Sequence, residues 1–329
     1  MGYFKISTFY SFTTTTIYFI RFPRLKKIKK LEVMSDNSGT QVVMTAISAN
    51  KSYIVDVISN PPGWTIIYIE PHVNAVDLHI VEDITITDNY VVFSSLMGLF
   101  DGNEDLVPPA RLWFFTKPAA AHVSLSYSTL TSHEIPLPLK SPFLVKKCEN
   151  DIFVAAGASG TGELHVIGYN ATFYVGTAKI KKNNMKLKDI SYNTCSKTTD
   201  VILDTNDAGI IGSEIYTILP GMSMAPGVTY GHMYPGYVMN SHIYNPSNPL
   251  QYVCTGHNLS NTFDLFLAQY LYHYPFECSS LITADTEPIS IIVSPDPAYI
   301  EKESIYTPTK YVDAEHKRTY IQTICTNNK

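Results

Sequence analysis

The chain has 329 residues, a hydrophobic content of 45%, a charged content of only 16% and a formal net charge of −5. A charged fraction this far below the roughly 25% of ordinary soluble domains excludes a chain that is disordered throughout. The negative balance argues against a nucleic-acid binder, which would carry a basic patch or stripe. The 23 tyrosines and 15 phenylalanines favour β-strands, because aromatic side chains pack well on a pleated surface.

The N-terminal end is unlike the rest of the sequence. Residues 4–21 are aromatic and rich in threonine, and a basic run from Arg21 to Lys30 follows them. A secretory signal carries its positive charge before the apolar stretch, and a membrane-spanning helix needs about 20 mostly apolar residues. We therefore predict that residues 1–36 form an N-terminal extension, either a degenerate export signal or a mis-assigned start upstream of Met34. We predict no membrane span.

From residue 37 onward, a polar turn followed by strand-forming residues recurs along the chain. This phrase occurs at Asn50–Val57, Asp88–Phe93, Asn150–Ala155, Thr199–Leu203, Pro249–Thr255, Glu287–Val293 and Arg318–Cys325. Helical signal is scarce, and the candidate Thr262–Tyr272 fits a short buried helix and a buried strand equally well. The lack of alternating strand and helix patterns disfavours a parallel α/β sheet.

The spacing of these phrases points to an architecture. They recur about every 45 residues, close to the ~40–50 residues of a four-stranded propeller blade. Stacking sheets in a ring covers the bare face of each sheet and protects its edges. We therefore predict an all-β fold in which residues 37–329 form a single β-propeller of six or seven blades. The alternative is a pair of β-sandwich domains divided near residues 179–185, a charged and polar stretch.

Two pairs of segments carry a resemblance to a known group of proteins. They are Val81–Phe93 (VEDITITDNYVVF) with the later Arg111–Phe115 (RLWFF), and Leu187–Asn193 (LKDISYN) with the later Thr199–Asp204 (TDVILD). In these short phrases the chain resembles the propeller-like proteins of unknown function that are common among secreted or surface-anchored proteins of gut Bacteroidales. The resemblance implies a propeller fold and an extracellular or cell-surface location. It brings no known activity and no functional residues.

The motifs that would indicate an enzyme or a cofactor are near misses. Gly157–Gly162 (GASGTG) lacks the spacing of a dinucleotide loop and is followed by a strand, so a hairpin turn is the better interpretation. Asp101, Asn103 and Asp105 have the spacing that opens a calcium loop. The glycine and glutamate that such a loop requires fall on leucines, so we predict a solvated acidic loop, with calcium as a weak alternative. No other metal or cofactor is predicted.

Candidate ligand-binding residues cluster around one tyrosine-rich segment. Tyrosine offers an apolar face with a polar edge, which suits sugars and peptides, and loops on a rigid scaffold concentrate binding residues. The candidates are Trp64, Tyr230, His232, Tyr234, Tyr237, His242 and Tyr244. The alternative interpretation is that this segment is a turn that packs on its own blade.

The predicted function is that of a non-catalytic propeller that binds a glycan or protein partner through loops at one mouth of the ring. The alternative is a polysaccharide hydrolase or lyase with acids at the blade ends, since glycoside hydrolysis uses a pair of carboxylates across a cleft. A purely structural surface protein is the third hypothesis. The 29 acidic residues include no pair that the sequence alone can nominate.

Overall fold

The structure is a computed structural model, and almost every described residue lies in an antiparallel β-strand. The described residues are 3–7, 17–21, 27–48, 51–59, 62–69, 78–98, 110–137, 139–159, 162–171, 173–181, 185–194, 197–207, 210–218, 227–245, 248–259, 261–271, 280–289 and 294–295. Within these ranges no helix has the length and apolar character needed to cross a membrane. The prediction of an all-β fold is confirmed.

Most strands belong to five units of consecutive antiparallel strands, preceded by the pair β1 (Tyr3–Ser7) and β2 (Ile17–Arg21). Unit 1 contains β3 (Lys27–Asp36), β4 (Gly39–Ser48), β5 (Lys51–Ser59) and β6 (Pro62–Ile69). Unit 2 contains β7 (Leu78–Ile86), β8 (Tyr90–Gly98), β9 (Ala110–Thr116) and β10 (Thr131–Ile135). Unit 3 contains β11 (Leu139–Glu149), β12 (Ile152–Ser159), β13 (Leu164–Asn170) and β14 (Phe173–Lys181). Unit 4 contains β15 (Lys186–Asn193), β16 (Thr198–Asp207), β17 (Ile210–Ile218) and β18 (Gly227–Pro235), and unit 5 contains β19 (Tyr237–Asn245), β20 (Asn248–Asn258) and β21 (Asn261–Leu271).

Two later strands join units rather than adding to unit 5. β22 (Ser280–Ile289) pairs with both β14 and β18, so units 3 and 4 share one nine-stranded sheet. β23 (Ser294–Pro295) pairs with β10 at the outer edge of unit 2. Strand β21 also resolves most of the ambiguous segment, because residues 262–271 lie in a strand paired with β20.

Tight turns connect several of the paired strands. Asn150 closes the turn between β11 and β12 with a φ of 47°, a left-handed conformation that asparagine tolerates better than most residues. In the GASGTG segment the Ser159 N–H donates to the Glu163 carbonyl at 2.7 Å, and β13 begins directly afterwards. The hairpin interpretation of this segment is therefore confirmed.

Apolar cores lie between successive units in chain order. The cluster between units 1 and 2 includes Met34, Val43, Ile54, Ile84, Phe93, Trp113 and Phe115. The next, between units 2 and 3, includes Val92, Leu112, Phe114, Phe143, Phe153, Ile167 and Tyr169. A third joins units 3 and 4 through Val154, Val166, Leu187, Val201, Leu203 and Tyr216, and a fourth joins units 4 and 5 through Ile202, Ile215, Tyr234, Met239 and Cys254.

The inner strands of these units are buried on both faces. Phe93 on β8 packs toward unit 1, whereas its neighbour Val92 packs toward unit 3. On β16, Leu203 packs toward unit 3 and Ile202 toward unit 5. Successive strand residues point to opposite faces of a sheet, so each of these sheets is sandwiched between its two neighbours.

Two observations bear on the expected boundaries. Residues 27–36, which we assigned to an N-terminal extension, form β3 and pair with β4, because Met34 supplies apolar surface to the core of units 1 and 2. The alternative domain boundary near residues 179–185 falls inside a single core cluster that contains both Ile180 and Met185. The described residues form four four-stranded units and one three-stranded unit, and no closed ring is seen among them.

Candidate functional site

The first strands of the units lie side by side. β3 contacts β7, β7 contacts β11, β11 contacts β15, and β15 contacts β19. No hydrogen-bonded ladder among the described residues joins these strands to each other, so each is the edge of its own unit. Their neighbouring edges bring together polar side chains that are far apart in the sequence.

Charged side chains from β3 and β7 interact directly at this junction. The Lys29 ammonium lies 2.6 Å from Oε1 of Glu82, whose Oε2 accepts a hydrogen bond of 2.8 Å from the Ser141 hydroxyl. The Lys30 ammonium lies 3.6 Å from Oδ1 of the buried Asp83. These contacts link three units, because Ser141 belongs to β11.

The pKa of Lys30 is affected by charged residues on more than one unit. Burial alone would lower the pKa of Lys30, but attraction from Asp83, Asp189 and Glu32 outweighs this effect, so the pKa is raised. Asp189 lies on β15, the first strand of unit 4. Lys30 on unit 1 therefore lies close enough to acids on units 2 and 4 for their charges to raise its pKa.

The pKa of Glu32 is influenced by charges from neighbouring first strands as well. Burial raises the pKa of Glu32, and attraction from Lys146 on β11 and from Lys30 only partly opposes this rise. Lys30, Glu32, Asp83, Lys146 and Asp189, which we call the inner lining, thus come from four first strands. A carboxyl group with a raised pKa beside lysines is a candidate functional group.

A polar cleft of about 380 Å³ opens beside the inner lining, and we call it the β3 cleft. One wall is the stretch of β3 from Glu32 to Asp36, and the opposite wall includes Ile86, Thr87 and Lys147. Gln41 and the segment 117–121 complete its lining. The volume falls within the ~300–1,000 Å³ of small-ligand pockets.

Two aspartates, the buried Asp56 and the exposed Asp36, hold the segment that walls the cleft. Asp56 accepts hydrogen bonds of 2.7 Å from Nε2 of Gln41 and from the backbone N–H of Leu125. Asp36 accepts a 2.9 Å hydrogen bond from the Ala121 N–H. Hydrogen bonds, led by the one from the Ser38 hydroxyl, lower the pKa of Asp36 to about 2. These hydrogen bonds hold the segment in place, so the cleft has defined walls.

Lysines and acids are balanced in the β3 cleft, but they are not equally engaged. The Lys147 ammonium pairs with Asp88. Lys117 is half-buried, and its ammonium makes no ion pair with any residue that the structure describes. The Lys117 ammonium is therefore available to form an ion pair with a carboxylate of a ligand.

The tyrosine-rich segment is strand rather than loop. Tyr230, His232 and Tyr234 lie on β18, while Tyr237, His242 and Tyr244 lie on β19. Gly236, with a φ of +78°, forms the turn between the two strands. The expected rim loop is thus reduced to one residue, because β18 of unit 4 ends at Pro235 and β19 of unit 5 begins at Tyr237.

The described side chains of this segment differ in exposure. Tyr234 and His242 are buried in and beside the core of units 4 and 5. His232 and Tyr237 are half-buried, and Tyr237 packs against the same core. The buried pair is closed to a ligand in this conformation. For His232 and Tyr237, ligand binding stays a prediction.

The remaining candidates lie outside the described side chains or residues. The backbones of Trp64, Tyr230 and Tyr244 lie in β6, β18 and β19, but their side chains are outside the described part of the structure. Asp101, Asn103 and Asp105 lie entirely outside it. Within the described ranges, no group of three His, Cys, Asp or Glu side chains could hold a metal ion. The weak calcium prediction stays untested.

A buried serine, histidine and aspartate meet between units 4 and 5. The Ser191 hydroxyl lies 2.7 Å from Nδ1 of His242, and Oδ2 of Asp200 lies 3.8 Å from the same nitrogen. A catalytic triad needs the serine and the acid on opposite ring nitrogens. Burial also lowers the pKa of His242 to about 3. This group, with its neutral histidine, is a buried link between units rather than a nucleophilic site.

Sequence reasoning missed the residues that line the β3 cleft. Glu32 and Asp36 fall within the predicted N-terminal extension, and the sequence predicts no role for Lys117. The alternation of polar and apolar residues from Lys30 to Val33 was the signal that could have indicated the strand that forms this wall. The pairing of β3 with β7 could not be read from local sequence, because residues 29 and 82 are 53 positions apart.

Comparisons with known proteins assign no family. No protein-family model matches this chain, and no curated protein matches it either. Among solved structures, two chains of Kluyveromyces lactis Hsv2, one with its loop 6CD complete, share 9% identity with this chain. The matches cover 74% of this chain and 97% of each of those chains, with a TM-score of 0.23. A similarity this weak supports no conclusion about fold or function, and the expected relation to the Bacteroidales group stays a prediction.

Proposed function

We propose that the units are blades of a β-propeller and that the chain is a non-catalytic scaffold that binds a protein partner through the β3 cleft. The cleft would lie at one mouth of the ring. An extracellular or cell-surface location, tested by cell fractionation, is part of the same proposal.

The ring arrangement is supported by two observations. Each unit packs on the next in chain order, and inner strands such as β8 and β16 are buried on both faces. In addition, the charge of Asp189 on unit 4 contributes to the raised pKa of Lys30 on unit 1, as expected if the first strands surround a common space. Units in a ring would produce both features, because each blade covers a face of its neighbour.

The observation that carries the choice of a protein partner is the make-up of the β3 cleft. Its lining is aliphatic and charged, with Val33, Met34 and Ile86 beside Glu32 and Lys117. No aromatic side chain is among the lining residues that the structure describes. Sugars favour aromatic faces, whereas a polypeptide presents backbone amides, aliphatic groups and charges that match this lining. A protein segment is therefore favoured over a glycan.

A hydrolase is the second candidate, because Glu32 and Asp36 have pKa values shifted in opposite directions. Such a split is typical of an acid and a base that work together. However, their Cα atoms are about 13 Å apart along the strand, so their carboxyl groups would reach the ~5–9.5 Å spacing of glycosidases only if both side chains turned toward each other. Asp36 is also committed to the Ser38 and Ala121 N–H groups. Binding is the better-supported function.

Parallel screens of the full chain test this proposal. We expect a display library of random linear peptides to yield binders, and we expect Lys117→Glu to weaken their binding. Lys186→Glu makes the same charge change at an exposed residue outside the cleft and should leave binding intact. Glycan-array binding that survives Lys117→Glu, without any peptide binder, would contradict the proposal. Release of reducing ends from a polysaccharide would favour the hydrolase.

A further inference from the structure

The wall of the β3 cleft is the free edge of a β-strand. β3 pairs with β4 on one side only, and no other described strand pairs with it. The five consecutive residues from Glu32 to Asp36 all line the cleft. At about 3.3 Å per residue this is roughly 16 Å of exposed strand edge.

The hairpin geometry shows which backbone groups face the cleft. Asp36 and Gly39 are direct partners across the turn. The two residues that close a two-residue turn exchange hydrogen bonds. Asp36, Met34 and Glu32 therefore direct their N–H and C=O groups at β4. Leu31, Val33 and Ser35 therefore direct theirs away from β4. These groups have no hydrogen-bond partner in the part of the chain that the structure describes.

Apolar surface and charge flank this edge. Val33 is 53% exposed and Leu31 is 38% exposed, although both are aliphatic. Across the cleft, Lys117 offers an ammonium without an ion pair among the described residues. An extended segment lying along β3 would cover the aliphatic side chains and could place a carboxylate near Lys117.

We propose that the β3 cleft binds its partner by β-strand addition, receiving an extended peptide segment that bonds to the backbone of Val33 and Ser35 and presents an acidic side chain to Lys117. Main-chain hydrogen bonds give affinity in this mode, and alternate side chains give specificity. An open edge row of N–H and C=O groups is a ready template for such pairing. This inference rests on the proposed function, since it names how the same cleft would hold a protein partner.

Two substitutions at one position separate backbone pairing from side-chain contact. Val33→Pro removes the N–H that faces the cleft, and proline is tolerated at an edge strand whose N–H points away from the sheet. Val33→Ala removes most of the side chain and keeps the N–H. With a peptide selected from the random library, we expect Val33→Pro to weaken binding about tenfold or more, the equivalent of one lost hydrogen bond. Val33→Ala should have a smaller effect.

The peptide supplies the complementary test. Backbone N-methylation, one residue at a time, should weaken binding at alternate positions and spare the positions between them. Replacing the acidic residue of the peptide by lysine should abolish binding to the wild type and restore it to Lys117→Glu. Ser35→Pro repeats the edge test if Val33→Pro lowers the melting temperature.

The outcomes distinguish this inference from the function on which it rests. Binding that is lost in Lys117→Glu but unchanged in Val33→Pro and Ser35→Pro would overturn strand addition and leave the protein-binding function standing. Failure to select any peptide would overturn both. If the wild type forms a dimer that Val33→Pro dissociates, the occupant is a second copy of this chain, which overturns the assignment to a partner protein.

Discussion

Asp83 on β7 reaches across to the next unit, where its Oδ2 accepts a hydrogen bond of 3.0 Å from the backbone N–H of Val145 on β11. Its Oδ1 accepts a second hydrogen bond, of 2.9 Å, from the N–H of Ile84. The contact recurs two units later, where Oδ2 of Asp189 on β15 accepts a 3.3 Å hydrogen bond from the N–H of His242 on β19. Each aspartate sits at an irregularity in its strand pairing.

Because Asp83 links units 2 and 3, we expect the substitution Asp83→Asn to destabilise the folded protein. The amide cannot accept from both Ile84 and Val145, so one buried N–H loses its acceptor, and Lys30 loses its ion pair. An unsatisfied buried donor costs about 1–3 kcal/mol. We expect the free energy of unfolding, measured in urea, to fall by about this amount.

Asp189→Asn is the matched control for Asp83→Asn. Asp189 makes the same two backbone contacts, but its side chain is half-buried rather than buried. Because the Asp189 side chain is partly accessible to water, we expect the loss to be smaller. Equal stability of Asp83→Asn and the wild type would show that the contact does not help to hold units 2 and 3 together.

His242 predicts a particular dependence of stability on pH. Burial lowers the pKa of His242 to about 3 in the folded state, whereas an unfolded histidine titrates near 6.5. The stability that this neutral residue contributes is therefore fully present above about pH 6.5 and is lost as pH falls toward 3, by up to about 1.4 kcal/mol per unit. His242→Gln should reduce the slope of unfolding free energy against pH in this window. An unchanged slope would contradict a neutral buried imidazole.

Asp56 predicts a local effect on the wall of the β3 cleft. Asp56→Ala leaves the Leu125 N–H and one N–H of Gln41 without acceptors. We expect a loss of about 2–4 kcal/mol in unfolding free energy and faster chymotryptic cleavage after Leu125, detected by mass spectrometry. Glu163→Ala removes a partly exposed ion pair with Lys179 and should cost at most about 1 kcal/mol. Unaltered cleavage at Leu125 in Asp56→Ala would show that other contacts hold this segment.

Local sequence patterns were sufficient to predict the strands but not their partners. The segments VEDITI and LKDISY, matched by their sequence alone, each place an aspartate (Asp83 or Asp189) where it links one unit to the next. By contrast, Lys29 and Lys30 looked like a basic leader because their acidic partners are far away in sequence. Composition cannot reveal that such charges are paired.

The candidate site was predicted less well than the fold. The tyrosines around Gly236 fit a loop or a strand equally, because turn residues such as Pro235 and Gly236 flank short aromatic runs. Only the burial of Tyr234 and the pairing of Pro235 with Gly212 reveal that this segment completes two strands. The β3 cleft depends on which edges the units leave open, and this is a property of tertiary packing that no local pattern contains.

The ring arrangement is tested most directly by the distance between the first strands of units 1 and 4. Spin labels at Leu31 on β3 and Lys186 on β15, placed in a chain without native cysteines, report this distance by double electron–electron resonance. Lys30 is attracted by Asp189, and Lys186 lies three residues, or about 10 Å, along the strand from Asp189. We predict a single narrow distance of no more than about 25 Å. A broad or much longer distribution, as from two independent slabs, would contradict the account.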